Sequence, residues 1–357
     1  MSEPTRRERI VGCLLGGAVG DALGAAVEFL SWSEIESRYG PGGIAGFEPA
    51  YGGPGRITDD TQMTLFTAEG LIRAQQRLAD RGLVDIDAVL HRAYLRWLFT
   101  QLGDVDRVPW DSDVGYEPSG WLLGQKFLSA RRAPGMTCLS ALQTGRAGTP
   151  ETPLNHSKGC GGVMRVAPVG VVTSESFDLG CRAAAITHGH PTGWLAAGAF
   201  AQIVSDVTTG RALRDAVEAA VWRCGSTPGG EETAGALRGA LGLVDLERTP
   251  SPQQIELLGG GWVAEEALAI SVYCALGTPD SAHALRAAVN HSGDSDSTGS
   301  ITGSILGATL GGVEWIDADL LQQLEGRAEI EQVAHDLCDA FDPDADRDPD
   351  WDRYPPW

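Results

Sequence analysis

The chain has 357 residues, 47 of them glycine, with 43% hydrophobic content and a formal charge of −21. Length and hydrophobicity suit a globular protein with a sizeable core and exclude a disordered one. The charge excludes a nucleic-acid partner, which needs a basic surface, and any anionic ligand would need donors arranged locally.

At the N-terminus, Arg6, Arg7 and Arg9 precede an apolar run at 10–19, and Gly24-Ala25-Ala26 follows, which is similar to a leader peptide. Against export, Asp21 falls before the small-residue site and the helical pattern continues to Glu28 and Phe29. Gly12, Gly16, Gly20 and Gly24 recur every four residues, and so do Gly299, Gly303, Gly307 and Gly311 near the other end. Each glycine costs a helix interior about 1 kcal/mol relative to Ala. Close backbone approach is the return that such stripes give. The two helices are therefore expected to pack tightly in the core, against one another. Asp21 and Glu28, seven residues apart on one face, would then lie near whatever opens the second helix.

A Gly-rich loop at 40–57 leads into Thr58-Asp59-Asp60-Thr61, which opens a helical pattern at 61–78. Taken alone this cluster reads as an N-cap. A spacing near 3.6 continues at 85–101, and loops punctuated by Gly, Pro and Asp occupy 103–120 and 145–163. The stretch His156-Ser157-Lys158-Gly159-Cys160-Gly161-Gly162-Val163-Met164-Arg165 exposes backbone amides fit to cradle phosphate, with local positive charge from Lys158 and Arg165. Two-residue alternation is best developed at 165–172, the one extended candidate. Helical patterns follow at 178–187, 193–208, 211–224, 261–276, 281–289 and 328–341. Between the first two, Thr187-His188-Gly189-His190-Pro191 reads as a helix stop with His188 lining a pocket, since no third soft ligand completes a zinc set.

Gly293-Asp294-Ser295-Asp296-Ser297-Thr298 opens the second glycine helix, with Ser297 or Thr298 as its expected cap. The tail at 342–357 carries Asp342, Asp344, Asp346, Asp348 and Asp350 but lacks the Gly and Glu of a calcium loop, so it is read as a solvated acidic tail. The fold class is all-α, with one domain expected at 1–341. Seven cysteines without a C-x-x-C pair fit reduced thiols in a cytoplasm, and no stretch is long and uncharged enough to span a bilayer. A monomer is expected.

The two acidic clusters carry the chemistry. One cap explains one or two residues, but not the same arrangement appearing twice. Four carboxylates with adjacent hydroxyls form an oxygen-only set suited to hard cations rather than zinc. If the fold joins the clusters, the carboxylates would repel strongly unless divalent ions neutralised them.

These stretches resemble the ADP-ribosylglycohydrolases. The matching segments are residues 16–24 with Glu28, then 58–61, 132–138, 158–165, 187–191 and 293–299, in the family order between about residues 8 and 312. The resemblance implies an orthogonal bundle of helices with a binuclear Mg²⁺ or Mn²⁺ centre. The implied ligands are Thr58, Asp59, Asp60, Asp294, Asp296 and Ser297, with Glu28 beside the metals. Ser157, Lys158, Gly159, Cys160, Gly161 and Gly162 would hold the diphosphate, and His188 the nucleoside end. Glu28 or Asp60 would orient or deprotonate the attacking water. Cys160 departs from the family, where several relatives have Asn. Ser297 departs from the serine-directed branch, which has Thr there, and the run 294–297 looks more similar to the arginine-directed branch. The implied activity is release of ADP-ribose from an ADP-ribosylated protein, through an N-linked arginine. Cleavage of O-linked ADP-ribose, or a non-catalytic role like that of the crystallin relatives, stands as the alternative.

Overall fold

The structure is a computed structural model and describes residues 3–110, 118–246, 249–342, 350 and 352–355. Helices are α1 (Arg6–Gly24), α2 (Trp32–Tyr39), α3 (Asp59–Arg81), α4 (Ile86–Leu102), α5 (Met136–Leu142), α6 (Ala167–Val172), α7 (Ser176–Ala185) and α8 (Pro191–Thr208). They continue as α9 (Leu213–Gly225), α10 (Glu231–Asp245), α11 (Pro252–Ile255), α12 (Ala264–Leu276), α13 (Ser281–Val289), α14 (Ser295–Leu310), α15 (Ala318–Gln323) and α16 (Arg327–Ala340). Among the described residues the only β features are two isolated bridges, so the fold is all-α.

The spine is the crossing of α1 and α14. A Cβ added at Gly12 would come 2.7 Å from the Gly307 carbonyl, and one at Gly16 or Gly20 would overlap the carbonyl of Gly303 or Gly299. The reverse holds for Gly299, Gly303 and Gly307. The two stripes do face each other, and backbone lies directly on backbone. Nearly every residue of both helices is buried, so they form the centre rather than the surface. Thr5 opens α1 with a capping box to Glu8, which fixes where the chain enters this crossing.

Four expectations need correction. The helical pattern does not run to Glu28: α1 stops at Gly24, and residues 25–29 form a turn closed by Val27 N–H to Gly24 O and Leu30 N–H to Val27 O. The alternating stretch 165–172 is largely helical, as α6. All its residues through Val171 are buried, so polarity marks no face, and Pro168 fits the first turn. α10 escaped the periodicity because Gly235, Gly239 and Gly242 dilute the spacing of Ala234, Leu237, Ala240 and Leu241. The end of the tail is not solvated. Tyr354 is buried with its hydroxyl donating to Asp336 at 2.7 Å, Arg353 pairs with the same carboxylate, and the Pro355 carbonyl accepts from Arg73 at 2.8 Å. Asp344, Asp346 and Asp348 lie outside the described residues.

Candidate metal and substrate site

The glycine crossing brings the start of α14 against the end of α1: a Cβ on Gly24 would strike Ser295 and Asp296 backbone. Asp21, one turn earlier on α1, turns to a third helix. Its carboxylate accepts from the amides of Thr58 and Thr61 at 3.0 Å and from the Thr61 hydroxyl. Those are amides at the start of α3, which lack partners within the helix. Thr58 itself caps α3, as expected, with its hydroxyl accepting from Asp60 N–H. α14 differs. Its cap is Asp294, not Ser297 or Thr298, and no side chain closes it. The Asp294 amide instead donates to Gly260 O at 2.9 Å, across a contact that leaves no room for a Cβ on Gly293.

Glu28, Asp294 and Asp296 each offer an oxygen, all within 4.8 Å of one another, and all three residues are buried. Asp59 and Asp60 enter from α3, and Asp59 Oδ2 accepts from the Gly135 amide at 3.0 Å. The preceding Arg132 anchors this support by donating to Ile57 O at 2.6 Å and pairing with Glu325. Burial raises the carboxyls first, and mutual repulsion adds to it. Asp59, Asp60 and Asp294 are pushed well above the usual range, Asp21 to about 7 and Glu28 to about 11. The charges acting on Glu28 and Asp60 are other carboxylates: Asp296 on both, with Asp294, Asp59 and Asp21. Two buried oxygens, Glu28 Oε2 and Asp60 Oδ1, have no hydrogen-bond partner. An acid-only donor set with orphaned oxygens fits a hard cation, and Ser297 and Thr58 add hydroxyls beside Asp294 and Asp296.

The glycine loop lies alongside. Gly159 pairs with Val263 as an isolated bridge, the Cys160 amide donates to Trp262 O, and Cys160–Gly162 form a single 3₁₀ turn. Cys160 Sγ sits 2.7 Å from Asp294 Oδ2, which joins the loop to the acidic cluster. Neither expected cation faces an open phosphate cradle. Lys158 is paired with Glu232 and Glu265, and Arg165 is fully buried, donating to Ala183 O and Thr187 Oγ1 while stacking 4.1 Å over the Tyr94 ring. His188 lies behind the loop at 1% exposure, its ring against Gly159, Gly161 and Gly162, and burial lowers its pKa to about 3. A neutral His188 therefore backs the loop rather than opening to solvent. His190 caps α8 through Nδ1, at 3.1 Å from Thr192 N–H.

Sequence reasoning undervalued three features of the site. Asp21 was legible as a carboxylate inside a glycine stripe, but its role as a cap for a distant helix was not. Gly135 supports Asp59 through a backbone amide, a role that its place in the matching segment 132–138 did not disclose. Tyr51 holds φ 49° in a tight turn between Ala50 and Gly53, within the field of Glu28, Asp296, Asp59 and Asp21.

The fold and site define an all-α protein with a buried acidic cluster that could hold a metal ion. The chain belongs to the ADP-ribosylglycohydrolase family, whose sequence profile matches residues 2–347. It is 29% identical over 226 residues to the ADP-ribosyl-[dinitrogen reductase] glycohydrolase of Rhodospirillum rubrum, covering 60% of this chain and 63% of that protein. An Archaeoglobus fulgidus protein is 30% identical over 179 residues, covering 48% of this chain and 45% of its own length. The chain thus matches less than two thirds of either relative. A solved structure described as an ADP-ribosylglycohydrolase-related protein complex superposes with TM-score 0.58 at 25% identity, covering 93% of this chain and 97% of that one. No helix among the described residues is long and apolar enough to cross a membrane.

Proposed function

We propose that the chain hydrolyses the N-glycosidic bond between ADP-ribose and an arginine of a modified protein. Family membership supports the reaction class, and the similarity to the Rhodospirillum ADP-ribosyl-[dinitrogen reductase] glycohydrolase supports an ADP-ribosylated protein as substrate. The observation that carries the reading is the convergence of Glu28, Asp294 and Asp296 on one buried point, with Glu28 Oε2 and Asp60 Oδ1 lacking partners. Two Mg²⁺ or Mn²⁺ ions, held by Thr58, Asp59, Asp60, Asp294, Asp296 and Ser297, would supply charge neutralisation and a Lewis-acid grip on the terminal ribose hydroxyls.

The chain's own groups do the rest. The Ser157–Gly162 loop, whose Ser157, Gly159 and Cys160 amides are already paired within the protein, would meet the diphosphate with its remaining amides, backed by His188. Asp60 or Glu28, whose carboxylates each keep an unpartnered oxygen, orients the water and takes its one proton as its oxygen bonds to the anomeric carbon. The C–N bond breaks, and a nearby carboxyl returns a proton to the leaving guanidine nitrogen. The acting unit is proposed to be the single domain at 1–341, as a monomer in the cytoplasm.

The test is release of ADP-ribose from arginine-, serine- and O-acetyl-linked substrates, with and without Mg²⁺. Arginine-linked substrate should turn over, with metal, and Asp59→Ala and Asp294→Ala should abolish turnover while the fold is kept. Near-normal release by both variants would refute the mechanism, and turnover of only the O-linked substrates would reassign the linkage.

A further inference from the structure

Two large aromatic side chains stand in solvent beside the acidic pocket. Phe29 is 68% exposed and Trp262 45%, yet their rings are stacked, with centroids 5.9 Å apart and planes 19° from parallel. An exposed aromatic pair gains little from burial, so the core gives no account of it.

Its position does. Phe29 directly follows Glu28, one of the three convergent carboxylates. Trp262 is fixed from the other side. Its carbonyl accepts from the Cys160 amide, and the neighbouring Gly260 carbonyl accepts from the Asp294 amide at 2.9 Å. Cys160 Sγ in turn lies 2.7 Å from Asp294 Oδ2. The stack therefore bridges the segment that carries Glu28 and the segment that abuts Asp294, next to the acidic cluster.

We propose that the Phe29–Trp262 pair is the recognition platform for the arginine side of the substrate, taking the guanidinium on an aromatic face. Aromatic faces attract cations and prefer planar guanidinium groups over ammonium. A guanidinium joined to ribose keeps its positive charge, which an aromatic face attracts. These rings carry one neutral donor, the Trp262 indole N–H, which is a weak match for a diphosphate's several anionic oxygens. The inference rests on the arginine linkage proposed above and adds which residues select it.

The experiment compares wild type, Phe29→Ala, Trp262→Ala and Phe29→Tyr, with Mg²⁺ present. KM and kcat are measured on an arginine-ADP-ribosylated peptide, and the Kd for free ADP-ribose by calorimetry. Phe29→Ala and Trp262→Ala should each raise KM about tenfold. Affinity for ADP-ribose, which contains no guanidinium, should stay within about twofold, and Phe29→Tyr should recover the wild-type KM. Retained ADP-ribose binding also shows that each variant is folded. Should Trp262→Ala fail to fold, Phe29→Ala decides alone, because that side chain is mostly in solvent. An unchanged KM, or ADP-ribose affinity falling in proportion, overturns the proposal; the second result would assign the rings to the nucleotide. A wild type inactive on the arginine-linked peptide instead overturns the linkage reading, so the two failures are separable.

Discussion

Two clusters of charge are buried in this protein, and they are built on opposite rules. Around Glu69, a single carboxylate is shared by two guanidinium groups: Oε1 accepts from Arg73 at 2.7 Å and Oε2 from Arg96 at 2.8 Å, with all three side chains almost wholly buried. Arg73 also donates to the carbonyls of Ser119 and Pro355, which ties in the chain's C-terminal end. At the α1–α3–α14 junction, by contrast, carboxylates face carboxylates, their pKa values are raised, and two oxygens lack partners. The first cluster carries its own counter-ions. The second sets like charges together and fits ions from outside. Buried charge points to a candidate functional site where like charges are packed together, as in the acidic cluster, rather than where opposite charges meet.

Substitutions that remove one charge without changing shape should separate the two clusters. Asp296→Asn removes the carboxylate that acts on most of the others. It should lower turnover by at least about 10³-fold, while metal-free thermal stability holds or rises. A rate within tenfold of wild type would mean that the acidic pocket is not the reaction centre. Glu69→Gln should do the reverse. It leaves two guanidinium groups without a counter-ion, at a cost of about 3–5 kcal/mol measured by urea unfolding. The rate per folded molecule should be retained. A loss below about 1 kcal/mol would show that Glu69 is not holding the structure together.

The pH dependence sharpens the comparison. A carboxyl whose folded pKa lies above its unfolded value favours the fold while protonated, so its contribution is present below about pH 4 and is lost as pH rises through the folded value. Asp21, raised to about 7, and Glu28, raised to about 11, place that window from pH 4 upward. Metal-free protein should therefore lose stability as pH climbs from 5 to 8. Saturating Mg²⁺ should restore it, by about 2.7 kcal/mol at a hundredfold excess over Kd. The increment should grow with pH. A melting temperature that is flat in pH and indifferent to Mg²⁺ would contradict the charge imbalance.

Much of this was legible in the sequence because the signals were repetitive. Glycines at four-residue spacing implied contact between α1 and α14, and that contact carries Asp21 and Glu28 toward Asp294 and Asp296. The long amphipathic helices were legible for the same reason. What escaped depended on burial from every side or on backbone partners. α6 has no polar face, and α10 is thinned by glycine. Lys158 and Arg165 looked available for phosphate because their partners, Glu232, Glu265, Ala183 and Thr187, are distant in sequence. The buried Tyr354 was hidden inside an acidic run, where composition argues for solvent.

The smallest expected effect concerns strain on the acidic side. Tyr51 and Gly52 both have positive φ, 49° and 94°, in a two-residue turn closed by reciprocal bonds of 3.1 Å between Ala50 and Gly53. Such turns favour Asn before Gly, and a side chain as large as Tyr there costs about 1–2 kcal/mol. Tyr51→Asn should therefore stabilise the metal-free protein by about 1 kcal/mol in urea unfolding. If the ring is kept for its place beside Glu28, kcat/KM should fall severalfold in the same variant. The Glu69 cluster offers no equivalent, since its opposite charges are already in contact. Stabilisation without loss of rate would reduce Tyr51 to a strained turn, and no stabilisation would mean that surrounding contacts compensate for the left-handed backbone.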